Sequence, residues 1–178
     1  MTPVFYIFGS VAVISALIVC GFQWVTVITT LFLIFLAAAG AADVNKGIVP
    51  DLIVILIAVL AIVKLLVFDI SLSNALNRLA GALVLSLPML VAALIVKNGF
   101  GGGDIKMIAA AGLFLGLEKT IIAGIIAFFI SGIYAVFLLI SKKGGAKSKI
   151  RLAPFLAIGC AFSELFGTAF LFIFSSYI

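Results

Sequence analysis

Seven stretches of apolar residues account for most of this chain, and several run long enough to cross a bilayer. They lie at about Val4–Val19, Val25–Ala42, Leu52–Phe68, Leu79–Val96, Ile105–Leu117, Thr120–Ile140 and Pro154–Phe174. A span needs roughly 20 apolar residues in helical form. In lipid, backbone polar groups find no water, so each stretch must satisfy its own hydrogen bonds as a helix. Of the 178 residues 66% are hydrophobic and 10% charged, a balance that leaves too little polar surface for a water-soluble globule. The expected fold is all-α: a polytopic transmembrane bundle of about six to seven spans, forming one integral-membrane domain over residues 1–178. The fifth stretch is short and its turn tight, so the span count is least defined there.

The first stretch lacks a basic leading region and a small-x-small cleavage pattern, so it is not read as a signal peptide. Leu17–Cys20 does not resemble a lipoprotein site, which needs a small residue before the cysteine. Cys20 and Cys160 are far apart, show no C-x-x-C spacing and read as small buried hydrophobes. With no histidine and no cysteine cluster, neither a zinc enzyme nor any other metal or cofactor is expected.

The charge excess of +5 reports topology rather than nucleic-acid binding. Lys142, Lys143, Lys147, Lys149 and Arg151 crowd the loop Ser141–Arg151 without an acid, so that loop is assigned to the cytoplasm. Counting back puts Asp43–Asp51 and Lys97–Asp104 on the same, cytoplasmic side, along with Met1. The segment Ile70–Arg78 on the outer side has Leu72, Ala75, Leu76 and Leu79 at helical spacing and is expected to lie flat in the interface.

Carboxylates are costly at a membrane edge and need a reason to be there. Asp51, after Pro50, reads as the N-cap of the stretch that follows. Asp104 has the same reading ahead of Ile105, but a simple cap does not require Gly101, Gly102 and Gly103 in front of it. Glycines permit positive φ and close approach of another chain, as a protease needs beside an extended substrate. The G-x-G-x-x-G spacing of a nucleotide loop is absent, and no strand precedes it. Asp43 stands at the C-terminal end of the second stretch, where the helix dipole disfavours a carboxylate by roughly 0.3–1 kcal/mol. Two carboxylates on one face of the membrane suggest an aspartic dyad. At about 3 Å apart they cannot both ionise and share a proton; one then activates water while the other acts as acid. The helix ends favour Asp43 as the protonated acid and Asp104 as the charged base.

These residues resemble a known family. G-G-G-D-I-K at Gly101–Lys106 matches the G-x-G-D-x-K motif of the type IV prepilin peptidases, through Gly101, Gly103, Asp104 and Lys106. D-V-N-K-G-I-V-P at Asp43–Pro50 is similar to that family's first-aspartate motif, and Arg151–Gly159 resembles its P-F-L-x-x-G segment. The resemblance runs from about Ile34 to Gly159. It implies an aspartic endopeptidase with Asp43 and Asp104 catalytic and Gly101, Gly102, Gly103, Lys106 and Pro50 shaping the substrate loop. The implied substrates are type IV pilin-like or preflagellin-like precursors, whose basic leader is cut off at the cytoplasmic face of the cytoplasmic membrane while their hydrophobic helix stays in lipid. Gly21–Val25 is too short for the cysteine-bearing insert of many bacterial members. The chain therefore looks like the short peptidase-only form, and N-methyltransferase activity is not expected.

Two further readings concern charge. Lys106 is either a topological anchor or a partner for a carboxylate. Glu164, in the middle of the last stretch, lies at the same depth as Lys64 when about 1.5 Å is counted per residue, so the two are expected to pair. Other functions for the carboxylates are a small ion-coupled transporter or channel, in which Asp43, Asp104 and Glu164 are coupling sites, and a purely structural subunit of a pilus machine.

Overall fold

The computed structural model describes residues 24–68, 70–95, 101–141 and 151–175, without the side chains of 24, 139 and 168–175. The first apolar stretch, Cys20, Asp69, residues 96–100 and the lysines of 142–150 lie outside the described residues. Among the described residues every secondary-structure element is a helix: α1 (Trp24–Lys46), α2 (Asp51–Phe68), α3 (Leu72–Ile95), α4 (Gly102–Leu115), α5 (Leu117–Ile140) and α6 (Ala153–Ser175). Four of them, α1, α2, α3 and α5, are long and apolar enough to cross a membrane. Their outer faces carry Ile55, Leu94, Ile125 and Phe129, each more than half exposed. Exposed side chains this large and this numerous suit lipid as their solvent.

At the centre stands α4. It has 14 residues and rises about 21 Å, less than the roughly 30 Å of bilayer hydrocarbon. It packs against α2, α3, α5 and α6, burying Met107, Ile108, Ala111 and Phe114. Phe114 stacks on Phe32 of α1 with ring centroids 3.9 Å apart. Small residues set the closest crossings. A Cβ on Gly81 of α3 would collide with the backbone of Gly112 and Gly116, and one on Gly159 of α6 with the Ala123 carbonyl of α5. Backbones approach closely where Gly replaces larger residues, the usual way helices associate when lipid removes the hydrophobic drive.

The segment Ile70–Arg78 does not lie apart as an interfacial helix. From Leu72 it is the first part of the unbroken 24-residue helix α3. Leu72, Leu76 and Leu79 do face outward, but Arg78 turns inward. Its Nη1 donates to the carbonyl oxygens of Phe114, at 2.7 Å, and Leu113, at 3.4 Å, which end α4. Next to it, Asn77 accepts the Leu117 N–H at 3.2 Å through Oδ1. These bonds fasten the beginning of α3 to the α4–α5 turn, where Gly116 adopts φ +83°.

Candidate active site

The last turn of α1 carries Asp43. The helix then stops at Gly47, whose φ of +68° is open to glycine at little cost and whose N–H returns to the Asp43 carbonyl at 2.8 Å. Pro50 precedes α2, and its carbonyl accepts the N–H groups of Ile53 and Val54. Between them Val49 is buried, turned back toward the protein. A tight C-terminal turn and a proline-led N-terminus thus bring the chain around directly after the aspartate.

The N-terminus of α4 lies against that turn. A Cβ on Gly103 would stand 3.1 Å from the Val49 Cβ, so the two segments touch because residue 103 has no side chain. Lys106 adds an exposed ion pair across the same boundary, Nζ to Asp51 Oδ1 at 2.9 Å. Together the two contacts set the C-terminal end of α1 and the N-terminal end of α4 at one end of the bundle. Asp43 and Asp104 both belong to that end, and both are buried, at 6% and 9% exposure.

Asp104 is not the N-cap of its helix. The helix begins at Gly102, its N-cap is Gly101 without a side-chain capping bond, and Asp104 is the third helical residue. Its Oδ2 lies 3.0 Å from the place where a Gly101 Cβ would stand. The carboxyl group therefore folds over the glycine ahead of it, at the positive end of the helix dipole. Gly102, by contrast, is exposed, and a Cβ there would meet nothing within 4 Å. The three glycines thus differ in use: Gly101 makes room for the Asp104 carboxyl, Gly103 for Val49, and Gly102 leaves backbone open to the outside.

Asp51 likewise is the first residue of α2 rather than its cap, and its carboxylate goes to Lys106. Lys106 is thereby a partner for a carboxylate, and that carboxylate is neither Asp43 nor Asp104. Among the described residues no three metal-ligating side chains come together.

Lys64 and Glu164 meet far from this end. Lys64 Nζ lies 2.8 Å from Glu164 Oε1, and Lys119 Nζ lies 2.9 Å from Oε2. Thr29 Oγ1 donates to Oε1 at 3.4 Å, and the Lys64 ammonium sits 4.0 Å from the Phe114 ring centroid. Glu164 thus joins α1, α2, α5 and α6. Equal depth in the membrane pointed to Lys64. Lys119 escaped that count because it stands in the first turn of α5 beside the exposed Glu118, where it reads as an end-of-helix charge.

A second contact that sequence reasoning missed involves Arg151. Its Nη1 donates to the Val44 carbonyl in the last turn of α1, and its guanidinium lies about 4 Å from a Cβ position on Gly47. The acceptor is a backbone group, so no residue type advertises it.

The family model of the type IV leader peptidase family matches residues 30–136, more than half of the chain and including both aspartates. The chain is also 28% identical over 138 residues to the prepilin leader peptidase/N-methyltransferase of Bacillus subtilis (strain 168). That match covers 76% of this chain and 54% of the relative, so the chain spans about half the relative's length. No solved structure matches it. With its apolar helices and its aspartates within the matched region, this chain is an integral-membrane member of the type IV leader peptidase family.

Proposed function

We propose that the chain is a membrane aspartic endopeptidase that removes the basic leader from type IV pilin-like or preflagellin-like precursors, with Asp43 and Asp104 as its dyad. One observation carries the reading. Two aspartates 61 positions apart are both buried at the same end of a lipid-embedded bundle, held there by the Val49–Gly103 contact. Ionisable groups buried in a membrane bundle are rarely retained without a chemical task.

In the proposed reaction Asp104 takes a proton from water, and the resulting hydroxide attacks the scissile carbonyl carbon. Asp43 gives its proton to the carbonyl oxygen. The tetrahedral intermediate collapses as the C–N bond breaks and the amine nitrogen receives a proton from the dyad, leaving a new carboxyl terminus and a new amine. The exposed Gly102 backbone offers an extended precursor a surface without side chains. Lys106 and Asp51 stand at the rim, and Pro50 holds the turn. The site faces the cytoplasm of the cytoplasmic membrane, following the basic loop before α6.

The Bacillus subtilis relative's name includes a second activity, N-methylation. For this chain we propose peptidase activity alone, since its two cysteines, Cys20 and Cys160, make no paired motif. Co-expression with candidate precursors tests the reading. Leader removal by the wild-type chain, its loss in Asp43→Asn, and a new amine without added methyl mass are expected. Unprocessed precursor with the wild-type chain, for every candidate, would contradict it.

A further inference from the structure

The last four carbonyls of any α-helix have no partner within the helix. In α1 these belong to Asp43, Val44, Asn45 and Lys46. The Gly47 N–H satisfies the Asp43 carbonyl, and Arg151 satisfies that of Val44. Arg151 comes from the two-residue lead into α6, where Leu152 is buried and its carbonyl accepts the N–H groups of Phe155 and Leu156. The guanidinium is thus carried by a segment fixed to α6 and reaches across to the turn that holds Asp43. It brings a full positive charge to the negative end of the α1 dipole, one residue from the aspartate. The planar fork of arginine also lies beside Gly47, in ordinary contact range of the point where a Cβ would stand.

We propose that Arg151 is a positioning residue for Asp43: its guanidinium, seated on the Val44 carbonyl, fixes the last turn of α1 and with it the place of the Asp43 carboxyl during hydrolysis. The inference rests on the proposed role of Asp43. It assigns Arg151 no contact with the precursor, so its effect belongs in turnover and not in substrate binding.

The test uses the full chain in lipid vesicles with a cleavable precursor. Arg151→Met is expected to lower kcat roughly tenfold or more, as small misplacements of a reacting group do, with KM within about twofold of wild type. Hydrogen exchange at the Gly47 amide is expected to speed up, while amides within α4 keep their rates. Arg151→Lys retains the charge but not the fork, so it should lose kcat only a few-fold at unchanged KM. Arg151→Lys also carries the test if Arg151→Met does not fold. An unchanged kcat in the variants, a loss confined to KM, or unaltered Gly47 exchange would each overturn the proposal. Asp43→Asn, measured alongside, separates the two levels. If that variant still cleaves, the dyad itself is wrong. If it is inactive while the Arg151 variants turn over normally, only the positioning role fails.

Discussion

Val49 lies against Gly103 so closely that a methyl group at residue 103 would stand 3.1 Å from the Val49 Cβ. This contact joins the turn after one aspartate to the helix start that carries the other. Enlarging residue 103 should therefore harm activity more than folding. Gly103→Val is expected to cut leader cleavage at least tenfold by moving the α4 N-terminus off the Asp43 turn, and Val49→Ala in the same chain should restore part of the rate. Gly102→Ala, which meets nothing, should melt like wild type. Any loss of cleavage in it then reports on the approach of the precursor. Rates and melting temperatures of the four chains decide the matter.

The Glu164 carboxylate serves two ammonium groups, so its removal should cost more than the removal of either. Glu164→Gln leaves the part-buried Lys64 and Lys119 together without an anion, and the loss should approach the roughly 3–5 kcal/mol that deleting one member of a fully buried pair costs. Lys64→Met leaves Lys119 on the carboxylate and should be milder. A Lys64→Glu/Glu164→Lys exchange should rescue only in part, because Lys119 then faces a second ammonium. Unfolding of the detergent-solubilised variants measures the order.

The ion pair between Lys106 and Asp51 is of a different kind. Both side chains are mostly exposed, and exposed pairs contribute about 0–1 kcal/mol. Lys106→Ala should leave the melting temperature nearly unchanged. A large drop would mean that the pair holds the α2–α4 boundary together.

The α3–α4 crossing depends on Gly81 and Gly112. An alanine at either would drive its Cβ into the opposite backbone, which has no side chain to yield. Overpacking of this sort costs about 1–3 kcal/mol or more. Gly132→Ala, where a Cβ meets nothing within 4 Å, is the matched control and should be neutral in the same melting assay.

Much of the architecture was legible because lipid writes plainly: an apolar run of span length has few structures open to it. The aspartates stood out because charge there is expensive, and Glu164 led to Lys64 by depth alone. The pattern did not separate an interfacial helix at Ile70–Arg78 from the start of α3. Outward leucines look alike in both, and the distinction lay in Arg78 bonding to the carbonyls that end α4. The helix start at Gly102 was hidden for a related reason. Three glycines read as a loop, while the contacts of Gly103 with Val49 and of Gly101 with the Asp104 carboxyl fold them into a first turn. Arg151 was beyond reach because its acceptor is main chain.

The proposed hydrolysis requires Asp43 and Asp104 to act as one catalytic unit, and the cleavage rates of Asp43→Asn, Asp104→Asn and the double variant, on folded protein in vesicles, test this most directly. Each single change should reduce cleavage by about 10²–10⁴, the range of a lost acid or base, and the double variant should be no slower than the worse single, since groups that act together fail together. Either single variant cleaving at more than a tenth of the wild-type rate, or losses that multiply in the double, would contradict it.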